Sequence, residues 1–83
     1  MPATRVLAMV ERRVSATDRA AFLDAHAARR LAARAVGAHV WMFEHLDEPG
    51  RFIEFTEAAA ASDVASVHGG ELPAPLWREV QGV

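Results

Sequence analysis

The side chains best suited to chemistry lie in two neighbouring apolar runs between residues 38 and 58. His39, Trp41, Phe43 and His45 occupy every second position of the first run, and Glu54 lies in the second. A carboxylate beside an imidazole orients the ring and raises its pKa. In an apolar cavity such a pair can remove a proton from a phenol or an enol. We therefore predict that His45 and Glu54 are a catalytic acid–base pair, with His39 as a further catalytic group.

The sequence Asp-Glu-Pro-Gly at 47–50 is typical of a turn between two strands. If these residues form the loop, His45 pairs with Phe52 and Phe43 with Glu54. Cross-strand partners share a face, so Glu54 comes within reach of His45. The predicted core face holds Val40, Met42, Leu46, Ile53 and Phe55. The predicted second face holds His39, Trp41, Phe43, His45, Phe52, Glu54 and Thr56.

The second face is predicted to be a dimer interface that encloses a substrate cavity. Its aromatic residues Trp41, Phe43 and Phe52 are expected to line a substrate cavity, and a face this apolar is expected to be covered by a second copy of the chain. His45 and Glu54 can alternatively form no more than an exposed ion pair at the hairpin tip.

A metal site is not predicted. His39 and His45 are six residues apart on a strand, which separates them by roughly 20 Å. No other group of His, Asp and Glu has the spacing of metal ligands. His68, which precedes two glycines, is expected either to cap a helix or to reach the cavity mouth and contact substrate. His26 is predicted to be solvated.

Strand and helix signals alternate along the chain. Strands are predicted at 6–14 and on both sides of the 47–50 turn, because β-branched and long apolar residues alternate there. A helix is predicted from Ser15 or Thr17 to Val36, with Gly37 as its stop. A short second helix is expected to end near residue 68, and residues 77–80 are a candidate edge strand. The order β-α-β-β-α(-β) predicts a ferredoxin-like α+β sandwich with both helices on one sheet face.

The first helix offers two candidate apolar faces. An alanine arc with two larger residues at its edge is predicted to face the sheet: Ala21, Ala25, Ala28, Ala32, Phe22 and Val36. A second stripe of Leu23, Ala27 and Leu31 is expected to flank the core, with a partner surface as the alternative.

Composition limits the classes of function. The chain of 83 residues has no Cys, no Lys and a net charge of −2. This predicts a single domain over residues 1–83, without disulfides and without nucleic acid as a partner. No apolar run approaches the length of a membrane span, and no signal-peptide pattern is present. We therefore expect a cytoplasmic protein that does not bind membranes.

The order of elements and the hairpin motif resemble the dimeric α/β-barrel superfamily, in particular antibiotic-biosynthesis-monooxygenase-like (ABM) domains. Gly37 follows the first helix, Asp47, Pro49 and Gly50 form the turn ahead of Arg51-Phe52, and Phe55 to Ala58 ends the next strand as "FTEA". The resemblance covers residues 6–68.

That resemblance implies a homodimer that binds a small aromatic or polyketide-like molecule. In the oxygenases of the group it implies monooxygenation without a metal or organic cofactor. Haem-degrading members use an Asn, a Trp and a His; this chain has no Asn and carries Phe55 at the aromatic position, so haem degradation is not expected. A non-catalytic ligand-sensing or structural dimer is the alternative, and an isomerase or dehydratase on the same fold is a third.

Overall fold

The computed structural model describes residues 4–73, 75–80 and 82. Four strands and two helices follow one another in the predicted order. They are β1 (Val6–Arg13), α1 (Arg19–Ala35), β2 (His39–Glu44), β3 (Arg51–Ala58), α2 (Ala61–Val67) and β4 (Leu76–Arg78). The sheet has the order β2-β3-β1-β4 and is antiparallel throughout. The prediction of a ferredoxin-like α+β sandwich, including its last strand, is confirmed.

Small side chains join the two helices to one face of the sheet. Buried alanines and valines from both layers make up the core: Ala8, Ala33, Ala38, Val40, Ala58, Val64 and Val67. Since Ala8, Val40 and Ala58 lie on one face of the sheet, both helices cover that face. We call it the helix side, and the opposite face the helix-free side.

Helix α1 turns an unexpected face to the sheet. Its buried or half-buried positions include Phe22, His26, Arg29 and Ala33, which follow the spacing of one helical face. The predicted alanine arc is wrong at Ala21, Ala25 and Ala28, which are exposed. Its other members, Phe22, Ala32 and Val36, are half-buried. The second stripe is exposed too, and Leu31 keeps 68% of its surface accessible. Alanine favours a helix on any face, whereas His26 and Arg29 have partners in the sheet.

The register of the hairpin differs from the prediction by one residue. Phe43 pairs with Ile53 and Trp41 with Phe55, and the His45 amide donates to the Arg51 carbonyl at 2.8 Å. The connection is therefore 46–50, one residue longer than predicted. A slip of one residue turns every side chain of a strand to the other face. The β2 faces were predicted correctly, but the β3 faces were reversed, and Leu46 is 98% exposed rather than in the core.

The connection between β2 and β3 requires a glycine at position 50. Its φ of +84° suits glycine, and its carbonyl accepts the Val14 amide at 2.8 Å. A Cβ at this position would lie 2.4 Å from the Val14 carbonyl oxygen. The end of β1 thus passes directly against the turn.

The helix-free side is broadly apolar. Its side chains include Leu7, Met9, Trp41, Phe43, Ile53, Phe55 and Trp77. Trp41, Phe43 and Trp77 keep 47%, 59% and 52% of their surface exposed. Ion pairs between Arg5 and Glu57 and between Arg51 and Glu11 lie on the same face. An apolar patch bordered by paired charges is typical of a surface that a partner covers.

Candidate functional site

The predicted pair of His45 and Glu54 is not formed. His45 lies at the hairpin tip, where its Nδ1 accepts the backbone amides of Asp47 at 3.1 Å and Glu48 at 3.2 Å. Its Nε2 lies 3.6 Å from the Glu48 carboxylate. Glu54 lies under helix α1 because of the register of β3, with 2% of its surface exposed. His45 therefore orders the turn, and the sheet separates it from Glu54.

The other aromatic residues of the predicted site also divide between the two sides. His39, Trp41 and Phe43 lie on the helix-free side, with the His39 and Trp41 rings stacked at 5.8 Å between centroids. Phe52 is instead buried under α1 and contacts Phe22 at 4.9 Å between centroids. A shallow pocket of about 220 Å³ near the hairpin is lined in part by Phe43, His45 and Phe52. The structure thus brings together three of the predicted site residues, without Glu54, His39, Trp41 or His68.

Glu54 belongs to a buried cluster that was not predicted. Its Oε2 lies 2.5 Å from His26 Nδ1. Arg29 approaches the same carboxylate with Nε at 3.0 Å from each oxygen and with Nη2 at 3.0 Å from Oε2. Only 1% of the Glu54 side chain is exposed, against 11% for His26 and 21% for Arg29. His26, predicted to be solvated, is therefore part of the core and shares a carboxylate with a guanidinium.

His68 lies beside this cluster, at the end of α2. Its Nε2 is 2.7 Å from the hydroxyl of Thr56, which is 1% exposed. Burial lowers the pKa of His68 from its ordinary value; Arg29 and Arg12 lower it further, while Glu54 opposes them. His68 is thus favoured in its uncharged form at neutral pH.

A cleft of about 400 Å³ opens next to His68. It is lined by side chains of β1, α1, the end of α2 and the segment that follows α2, among them Arg12, Arg29, Val67, His68, Glu71 and Leu72. A cleft lined by an uncharged imidazole, two guanidinium groups and apolar side chains can bind a small organic molecule, and the imidazole can accept a proton from it. This cleft is our candidate site.

Four residues of the cleft and the buried cluster were not predicted from the sequence: Arg12, Arg29, His26 and Thr56. One signal was available: Phe22, His26, Arg29 and Ala33 repeat at helical spacing. A three-membered group of His, Asp or Glu able to hold a metal is absent from the residues that the structure describes.

Comparison with known proteins supports the fold. The structure of a protein from Nitrosomonas europaea, named "Putative antibiotic biosynthesis monooxygenase", superposes with a TM-score of 0.64 and is 16% identical. The match covers 100% of this chain and 92% of that one. No protein-family model matches the chain, and no curated protein matches its sequence. The chain therefore has an ABM-like fold, as the sequence resemblance implied.

None of the helices in the described ranges is long and apolar enough to cross a membrane.

Proposed function

We propose that this protein is a homodimer that binds a small aromatic or polyketide-like molecule in the helix-side cleft and removes a proton from it with His68. The observation that carries the proposal is the placement of His68, half-buried at the cleft and hydrogen-bonded to the buried Thr56 hydroxyl. A histidine with a lowered pKa, held by a fixed partner beside an open cleft, suits a general base.

The position of the proton on the His68 ring decides which ring nitrogen acts as the base. When Nε2–H donates to Thr56 Oγ1, the lone pair is on Nδ1, and this nitrogen takes the proton. Thr56 remains an acceptor after the transfer, since both nitrogens of a charged imidazole are donors. Thr56 therefore holds the ring in place in both protonation states.

The proposed reaction is oxidation of the resulting anion by dioxygen. A phenol or enol that gives its proton to His68 becomes a phenolate or enolate. A hydrogen-bearing carbon of that anion bonds to one oxygen atom of dioxygen, His68 returns the proton to the resulting peroxide, and loss of the second oxygen atom as water leaves a new carbonyl group. The choice of dioxygen rests on the ABM-like fold, since one fold supports several chemistries. This assigns the base role to His68, in place of the predicted pair of His45 and Glu54.

The dimer is proposed to form through the helix-free side. Trp41, Phe43 and Trp77 expose apolar surface there that both helices leave uncovered. A second copy presents the same face, and twofold symmetry closes such an assembly. Sheet-to-sheet contact buries the rings and leaves the helix-side cleft of each subunit open.

Turnover tests the chemistry. A panel of dihydroxyanthracenes and quinols is incubated with the protein in air with a chelator present, and product is followed by absorbance. We expect His68→Gln to lower kcat by about 10²–10⁴-fold, the usual contribution of a general base. His45→Gln is the matched control, because that ring lies at the hairpin tip. Equal loss in both variants, or full activity in His68→Gln, contradicts the assignment.

Sedimentation velocity tests the dimer. Trp41→Asp is expected to give monomers because it places a charge among the exposed apolar side chains of the helix-free side. Leu31→Asp is the control, since Leu31 is also exposed and apolar but lies on the outer face of α1. A wild-type monomer at high protein concentration would contradict the proposed assembly.

A further inference from the structure

The geometry of Arg29 bears on the kind of molecule that the cleft binds. A planar guanidinium has two edges that can each donate a pair of hydrogen bonds to a carboxylate. Glu54 occupies the edge made by Nε and Nη2, with all three short distances at 3.0 Å. The edge made by Nη1 and Nη2 has no partner within the described ranges. Glu54 thus fixes Arg29 from the sheet side, and the edge made by Nη1 and Nη2 can donate a pair of hydrogen bonds to another group.

Arg29 also reaches the cleft. It is one of the residues that line the cleft, and 21% of its side chain is exposed. Because Glu54 fixes the guanidinium from the sheet side and is itself 2% exposed, a ligand meets the arginine and not the carboxylate. Fixing a donor in advance reduces the entropy lost when a ligand binds.

Arg12 supplies a second cation at the same cleft. It precedes Arg13 at the end of β1 but points to the helix side, since it pairs with the buried Phe52. No ion pair or side-chain hydrogen bond involves Arg12 among the residues that the structure describes. Arg12, Arg29 and His68 all line the same cleft, which places the three groups around one space.

Glu71 is the acid that lines this cleft. It is exposed, and the described residues give its carboxylate no ion-pair partner. Its charge offsets part of the attraction of the arginines for an anion. Removal of that charge should therefore strengthen the binding of an anionic ligand.

We propose that the molecule bound in the cleft carries a carboxylate group, which the free edge of Arg29 and the side chain of Arg12 hold while Glu54 positions Arg29. This inference rests on the proposed function and specifies its substrate class. The carboxylate would anchor an aromatic acid beside Val67 and Leu72, with its reacting hydroxyl toward His68. Arg29 is suited to this task because lysine lacks the two-pronged geometry.

Naphthoate and naphthamide, substituted at the same ring position, make a matched pair of probes that differ in charge and not in shape. Their affinities for the full chain are measured by titration calorimetry above neutral pH, where His68 is uncharged. We expect naphthoate to bind about tenfold more tightly, the low end for a charge-assisted hydrogen bond at a partly exposed site. Equal affinities, or no binding of either probe, would overturn the inference.

Four variants locate the effect. Arg12→Gln should remove most of the preference for naphthoate, whereas Arg13→Gln, on the opposite face of the same strand, should keep it. Equal losses in the two variants would mean a general charge effect and no site. Glu71→Gln should increase the affinity for naphthoate, and Arg29→Lys should reduce the preference although it retains the charge.

The ratio of the two affinities tests the positioning role of Glu54. A variant that is only partly unfolded weakens both probes by the same factor and leaves the ratio unchanged. Glu54→Asp keeps the negative charge but draws the carboxylate back by one methylene group, so it should lower the ratio because Arg29 is then no longer held in place. An unchanged ratio in folded Glu54→Asp contradicts the positioning role.

His68→Gln separates this inference from the proposed function. The variant should keep the preference for naphthoate while losing turnover. A preference for naphthoate without turnover in the wild type would refute the proposed chemistry alone. Turnover of neutral phenols with no such preference would refute the carboxylate site alone.

Discussion

The buried Glu54 carboxylate provides the sharpest test of how this fold is held together. It joins the middle of β3 to α1 through His26 and Arg29, and its side chain is 1% exposed. In Glu54→Gln the shape is retained but the negative charge is lost, which leaves Arg29 without a charged partner. Breaking one side of a buried pair costs about 3–5 kcal/mol. Arg29 is partly exposed, so we expect a loss of about 3 kcal/mol.

That loss is large for a chain of 83 residues. At roughly 0.05–0.15 kcal/mol per residue, the whole free energy of unfolding is about 4–12 kcal/mol. A change of about 1 kcal/mol shifts Tm by roughly 4–8 °C in a domain of this size. Glu54→Gln should therefore lower Tm by about 12–24 °C in a thermal melt followed by circular dichroism. Melts at two protein concentrations separate this effect from dissociation of the proposed dimer.

Glu44→Gln is the matched control for this prediction. Glu44 also reaches from the sheet to an arginine of α1, with 2.6 Å between its Oε2 and Arg19 Nη1, but the pair is much more exposed. The Tm of Glu44→Gln should fall far less than that of Glu54→Gln, because water screens an exposed ion pair. The double variant Glu54→Gln with Arg29→Gln should be little worse than Glu54→Gln alone. A Glu54→Gln melt within about 4 °C of wild type, or strictly additive effects, would refute the buried pair.

Three further outcomes are expected. In urea unfolding, Gly50→Ala should lower the free energy of unfolding more than Gly37→Ala does. A Cβ at position 50 would lie 2.4 Å from the Val14 carbonyl oxygen, whereas a Cβ at position 37 would meet nothing within 4 Å. Equal losses in the two variants would mean that only the positive φ of the glycine matters. The Glu44 pKa is lowered from 4.5 to about 2, so its stabilisation is complete above its unfolded pKa and disappears as pH falls through the folded one. The Tm gap between wild type and Glu44→Gln should therefore close in acid, and a gap independent of pH would contradict this. The His68 C2 proton should titrate below its ordinary pKa of 6.5 by NMR, and turnover should be lost as pH falls through that midpoint; a raised midpoint would contradict the uncharged base.

Local patterns predicted the elements well. The alternation in residues 6–14 and the Gly37 stop produced strand and helix boundaries close to those observed. The faces of β2 were also predicted correctly, with Val40 buried and Trp41 exposed. These features depend on neighbours in sequence, which is why periodicity alone identifies them.

The site was predicted only in part, because it depends on two nonlocal facts. Phe52, Glu54 and Thr56 alternate with Ile53 and Phe55, and both sets are compatible with a core face. A connection longer by one residue decides between them, and in that connection the Gly50 carbonyl accepts the Val14 amide from the end of β1. His68 was a predicted contact residue, but the cleft beside it involves three separate segments of the chain.

The sequence by itself determined the order of strands and helices, the turn and the presence of an apolar face without a helix. The tertiary structure alone decided where the charged groups lie. Because the register places Glu54 under α1, its buried charge requires partners, and α1 presents His26 and Arg29 to it. This orientation leaves Ala21, Ala25 and Ala28 exposed, which costs little because their apolar side chains are small. The same orientation of α1 brings Arg29 to the cleft. The position of the candidate site therefore follows from the register in which β2 pairs with β3.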